Sequence, residues 1–209
     1  QLNGATNYYR SQTNALQSIA AFDQFLNSLN RYFITRKNSE KHVPSITLLF
    51  HSMGGFILQK YAESGSAEID SPVFNNVILD AAAVKQKNHY VWLERVAFQK
   101  RIYVLSNGRD FTLHGASLLS LGKMLGMGAR KQLAENAEYI DFSENLTFEH
   151  NYTILDEGKI GKKFRYVCET IMHGRSLDLE NRNIFTPIGT TRVYKLVKES
   201  PDDNVAESR

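Results

Sequence analysis

The sequence predicts an α/β fold, a parallel sheet flanked by helices, and three observations carry that expectation. Short apolar runs recur as "ITLLF", "NNVILDAAAV", "RIYVLSNG" and "AEYIDFS". Each is apolar on consecutive positions, the pattern of strands covered on both faces. The segments between them are helical or mixed, and strands alternating with helices imply βαβ units with parallel pairing.

In chain order, "SQTNALQSIAAFDQFLNSLNRYF" places Leu16, Ile19, Ala20, Phe22, Phe25, Leu26 and Leu29 on a broad stripe, which predicts an amphipathic helix. The polar link "TRKNSEKHVPS" leads to the first strand, and the glycines after it open a helix, "GGFILQKYAESG". "HGASLLSLGKMLGMG" supplies a helix between the third and fourth strands, and its Met and Leu at helical spacing read as packing rather than a phosphate cradle. "KKFRYVCETIMHG" is a further helix, whereas "NIFTPIGTTRVYKLVKE" holds a short strand or an extended arm. Residues 1–198 are expected to form one domain and 199–209 a loose tail, and no internal repeat is visible.

"ITLLF" has the composition of a central strand, so something is expected beside residues 46–50. Three coverings are open: the C-terminal segment folded back, a partner, or the first strands of a longer protein of which this is a piece.

Bulk properties narrow the function classes. The 209 residues are 42% apolar, and their 25 basic and 22 acidic side chains are interspersed, leaving a formal charge of +3. Without a basic stripe to follow a phosphate backbone, nucleic-acid binding is not expected. No stretch approaches the roughly 20 apolar residues that span a bilayer, and the N-terminus lacks a charged and then apolar leader pattern. The single cysteine, Cys168, permits no internal disulfide and no thiolate cluster, and its place in "FRYVCETIM" reads as a packed thiol. A reducing, cytoplasmic setting is the expectation, with no cofactor and no metal. P-loop, dinucleotide and H-E-x-x-H patterns are absent.

The chemistry concentrates at "LLFHSMGG", residues 48–55, where a buried strand breaks into a serine followed by glycines. A sharp turn between strand and helix exposes a serine hydroxyl when its neighbours are small, and Gly54 and Gly55 satisfy that downstream. The hydroxyl then lies near a helix N-terminus, where backbone amides favour negative charge, and the Met53 N–H becomes a donor to an oxyanion. The plainer alternative is that Ser52 only caps the helix.

A serine nucleophile needs a base, usually a histidine oriented by a carboxylate. Asp110 follows the third strand in "VLSNGRDFTL" and His150 the fourth in "SENLTFEHNYTI", both at sheet ends on the side of Ser52. Asp80, ending the second strand, is an alternative acid. His51 adjoins the serine, but consecutive side chains in a strand point apart. His114 falls on the following helix, His173 near a helix C-terminus, and His42 and His89 in polar links expected to be solvated. Tyr8 and Tyr9 line a pocket or pack a helix.

The stretch Phe50-His51-Ser52-Met53-Gly54-Gly55 resembles the nucleophile elbow of the α/β-hydrolase superfamily, Gly-x-Ser-x-Gly, often written G-H-S-M-G-G. Phe50 departs from it by replacing the first small residue. With Ser106 to Leu113, "AEYIDFS...EHNYTI" and a helix ending "HGRSLDLENR", residues 8 to 182 resemble a bacterial α/β-hydrolase family of largely unassigned function. That family pairs an H-S-M-G elbow with S-x-x-D-x-x-L and a late G-H-x-Y; here three residues separate Ser106 from Asp110, and Glu149 stands for the glycine. The resemblance implies Asp110 as acid, His150 with Tyr152 as the late histidine motif, and an α/β-hydrolase-like sheet lacking its first strands.

The expected function is therefore a serine hydrolase of esters or related acyl bonds, with Ser52, His150, Asp110 and the Met53 amide in the roles above. The second oxyanion donor of that superfamily comes from a loop after an early strand, and none precedes the first helix here. The competing expectation is a non-catalytic hydrolase-like scaffold that binds a partner through the uncovered strand.

Overall fold

The computed structural model describes residues 2–38, 44–65, 73–154, 161–189 and 191–198. It is a mixed α/β fold with one six-stranded sheet in the order β1-β2-β3-β4-β6-β5. The strands are β1 (Thr47–His51), β2 (Phe74–Asp80), β3 (Gln99–Ser106), β4 (Ala137–Asp141), β5 (Phe185–Pro187) and β6 (Val193–Leu196). All neighbours are parallel except β5, which is antiparallel to β6. The helices are α1 (Leu2–Gln17), α2 (Ile19–Asn38), α3 (Gly54–Glu63), α4 (His89–Leu93), α5 (Phe111–Ser120) and α6 (Lys162–Met172). The four apolar runs are thus the four parallel strands expected of them, and the "NIFTPIGTTRVYKLVKE" segment contributes β5 and β6.

The apolar runs are continuous because both faces of the sheet are covered. Val77 and Leu79 of β2 and Ile102 and Val104 of β3 enter one core with Leu26, Leu58 and Tyr61 from α2 and α3. Their alternates, Ile78, Tyr103 and Leu105, enter a second core with Leu113 of α5 and Phe164, Val167 and Ile171 of α6. Successive strand side chains point to opposite faces, so two helical layers demand apolar residues at every position.

The N-terminal stripe is narrower than its composition implies. The chain breaks at Ser18 into α1 and α2, and the buried line runs Ala15, Ile19, Phe22, Leu26, Leu29 and Phe33. Leu16, Ala20 and Phe25 lie outside it and are exposed, because these helices meet the sheet on one side only. Phe22 packs edge-on against Phe50 and Tyr61, with ring centroids 5.6 and 5.2 Å apart. Burial of the Phe50 ring contributes about 1.5–3 kcal/mol.

β1 is the terminal strand among the described residues, and β5 and β6 of the C-terminal segment lie at the opposite end of the sheet beside β4, not beside β1. Leu49 of β1 is 40% exposed, unlike any apolar residue of β2. His89 also departs from expectation: it is buried, with Nδ1 donating to the Gln86 carbonyl at 2.7 Å and Nε2 accepting from the Tyr139 hydroxyl at 2.7 Å. That hydroxyl accepts in turn from Ala134 N, so the network is satisfied and burial holds the imidazole pKa down. His42 and residues 199–209 lie outside the described residues. No described helix is long and apolar enough to cross a membrane.

Candidate functional site

Parallel strands deliver their C-terminal ends to one rim of the sheet. In register His51 pairs with Asp80, and Ser106 with Asp141. The loops leaving β1, β3 and β4 carry Ser52, Asp110 and His150 respectively, and the structure brings all three together.

Ser52 sits between β1 and α3 with φ +50°, left-handed for a residue that has a Cβ. Such a conformation costs of order 1 kcal/mol or more and persists when surrounding bonds fix it. Here Ser52 N donates to the Asp80 carbonyl at 2.9 Å, and the Ser52 carbonyl accepts from Ala83 N at 3.0 Å and Gly55 N at 3.1 Å. The tight glycine is Gly55, where a Cβ would lie 3.0 Å from that of Ala82. At Gly54 a Cβ would meet Phe50 at an ordinary 3.6 Å, so the bulky ring at position 50 fits the turn by lying in the core. Among the described residues no backbone carbonyl accepts from the Met53 N–H, which stands at the start of α3.

His150 Nε2 lies 2.9 Å from Ser52 Oγ, and Nδ1 lies 2.6 Å from Asp110 Oδ2. A carboxylate oxygen accepts, so the network assigns the ring proton to Nδ1 and leaves Nε2 to accept from the serine hydroxyl. The other Asp110 oxygen, Oδ1, accepts from Leu113 N at 2.9 Å and caps α5. The acid is fully buried and both its oxygens are committed.

Side chains of Asn107 and His51 make further contacts with the histidine loop. Asn107, fully buried, donates from Nδ2 to the Thr147 and Glu149 carbonyls at 3.0 and 3.1 Å, tying the acid loop to the histidine loop. It lies at the end of the "RIYVLSNG" run, which read only as a strand. His51 Nε2 donates to the His150 carbonyl at 3.3 Å and its ring meets that of His150 edge-on at 4.8 Å. His51 therefore touches His150 rather than Ser52, a contact its place beside the serine did not signal. Glu149 is bound within its own loop, accepting from Thr147 N and Oγ1.

Asp80 makes no hydrogen bond to His150. It is buried at the end of β2; Oδ2 accepts from Thr153 Oγ1 at 2.7 Å, and Oδ1 has no partner. Burial pushes its carboxyl pKa up, against the smaller opposing pulls of the Thr153 hydroxyl and the His51 imidazole. A raised folded-state pKa means that the native protein binds the proton more tightly. Stability from this group is present below its unfolded pKa of about 3.9 and is lost as pH rises through the folded value. Urea unfolding of the parent and Asp80→Asn across that range should show the parent losing ground to the variant as pH rises. A difference independent of pH would contradict this.

The neighbouring Tyr152 hydroxyl is buried and accepts from Ala81 N at 3.1 Å. Ala81 also has positive φ, +46°, so Tyr152 braces a second strained turn beside the first. The remaining candidates lie elsewhere. His114 is on α5, exposed, with Nε2 donating to the Gly108 carbonyl at 3.0 Å, and His173 caps α6. Tyr9 donates to the Leu119 carbonyl at 3.1 Å, which packs α1 against α5. Burial raises the Cys168 thiol to about 12, as suits a packed, unreactive sulfur. Among the described residues no group of three or more His, Cys, Asp or Glu could hold a metal ion.

Fold and site together define an α/β protein with a mostly parallel sheet whose loops gather a serine, a histidine and an aspartate at one rim. Comparison with known proteins adds no name to that class: no family model, no curated protein and no solved structure matches the chain.

Proposed function

We propose that the protein is a serine hydrolase of the α/β-hydrolase type, acting on esters or related acyl bonds. The observation that carries this reading is the hydrogen-bonded chain from Ser52 Oγ through His150 to Asp110, on a serine held at φ +50°. A helix cap has no use for a histidine, and a surface histidine has no use for a buried carboxylate.

In this reading Ser52 Oγ attacks the acyl carbon while its proton passes to His150 Nε2. Asp110 keeps the ring oriented and stabilises the imidazolium that forms. The carbonyl oxygen becomes an oxyanion that accepts from the Met53 N–H at the positive end of α3. Collapse expels the alcohol, which takes the proton from Nε2, and a water activated by the same nitrogen releases the acid from Ser52.

No described strand precedes β1, so none supplies the usual second oxyanion donor. Absence of one donor costs about 10²–10³ in rate. This observation, with β1 at the end of the described sheet, favours a second reading, a non-catalytic scaffold of the same fold. Hydrolysis of p-nitrophenyl butyrate separates them: the parent should be active and Ser52→Ala reduced to background. Equal rates for the two proteins would overturn the hydrolase reading.

A further inference from the structure

A cavity of about 430 Å³ opens behind the acid loop, on neither Ser52 nor His150. It falls within the range of small-molecule pockets, and its volume is that of roughly fourteen waters. Its walls come from four separate segments. Ser106 ends β3, and Gly108 and Arg109 follow it; Lys123, Met127, Gly128 and Arg130 follow α5; Asp141 ends β4, and Glu144 follows it; Lys195 belongs to β6.

The charges on these walls do not cancel. Four cations, Arg109, Lys123, Arg130 and Lys195, face two carboxylates, Asp141 and Glu144. Both carboxylates are engaged: Arg130 Nη2 lies 3.7 Å from Asp141 Oδ2, and Lys195 Nζ bonds Glu144 Oε1. Asp141 Oδ1 accepts from Ser143 N at 2.9 Å and from the Ser143 hydroxyl. Arg109 and Lys123 form no ion pair among the described residues. The field is felt nearby, since Lys195, Lys198 and Arg109 hold the Glu144 carboxyl below its ordinary range. A concave surface with low-dielectric walls and surplus charge of one sign concentrates small ions of the other.

We propose that this cavity binds a small multivalent anion, a phosphate or polycarboxylate group, through Arg109 and Lys123. An arginine fork receives two oxygens in a plane and a lysine supplies a point charge, the pairing suited to such groups. The glycines of "GKMLGMG" take part in this arrangement: Met124 and Leu125 turn into the core, leaving Lys123, Met127 and Gly128 on the cavity wall. The site goes beyond the hydrolase reading and does not rest on it.

Calorimetric titration of the full chain at low ionic strength, with pyrophosphate and separately with citrate, tests the assignment. Saturable 1:1 binding of at least one anion is expected, and the tighter of the two identifies the class. Arg109→Ala and Lys123→Ala should each weaken it about tenfold, as loss of a charge-assisted contact does. Both side chains are at the surface, so folding is not at stake. Lys131→Ala, which removes an exposed charge outside the cavity, and Ser52→Ala should bind as the parent does. No saturable binding of either anion, or equal weakening by Lys131→Ala, would overturn the proposal.

Discussion

Asp110→Asn is expected to lower ester hydrolysis by about 10⁴ while leaving the fold intact. The asparagine oxygen can keep the α5 cap by accepting from Leu113 N, as Asp110 Oδ1 does. The amide nitrogen then faces His150 Nδ1 where a carboxylate oxygen stood 2.6 Å away. Two donors cannot share that contact, so the imidazole proton moves to Nε2 and points at Ser52 Oγ, which needs an acceptor there. Asp110→Ala removes the cap as well and should lose about 1 kcal/mol of stability in addition. Steady-state kinetics on p-nitrophenyl butyrate, with urea unfolding of both variants, check this pair. An Asp110→Asn enzyme within tenfold of the parent would contradict the role given to the acid.

The largest effect on stability is expected at Gly126. A Cβ there would lie 2.5 Å from the carbonyl carbon of Ala81 and from Ala82 N, and 2.7 Å from Leu113 Cδ1. The first two are backbone atoms at the end of β2 and cannot swing aside as a side chain would. Gly126 also donates to the Ala82 carbonyl at 3.0 Å and accepts from Asn107 N at 2.9 Å. It is therefore the joint between the turn that braces Ser52 and the loop that carries Asp110. Gly126→Ala should cost about 3 kcal/mol or more, at the upper end for an overpacked core. Whatever folded protein remains should be impaired in ester hydrolysis, since Asn107 would move with the joint. A melting temperature within about 2 °C of the parent would contradict this account.

These two residues show where sequence reading succeeds and where it stops. That Ser52, Asp110 and His150 meet was legible because each lies in the loop after an apolar run, and parallel strands send those loops to one rim. Strand existence follows from composition when both faces are buried, as with Ile78 and Leu79. What lies beside a strand does not: the "ITLLF" run looks central, and β1 is the terminal strand among the described residues, with Phe50 in the core and Leu49 40% exposed. The Met and Leu of "GKMLGMG" read as helical packing, and the close approach of Gly126 to Ala81 is a contact across 45 positions that no local pattern encodes. His89 read as solvated since its flanks are polar, but its partner Tyr139 is 50 residues away. Asn107 and the anion cavity share that cause: the first joins loops 40 residues apart, and the second draws on four segments.

The claim at the centre is that the Ser52 hydroxyl is made nucleophilic by His150. Reaction with a fluorophosphonate probe, followed by peptide mapping, tests it directly. Labelling confined to Ser52 in the parent, and lost in His150→Ala, is the predicted result. A folded parent that takes no label at Ser52, or labels as fast without His150, would contradict it.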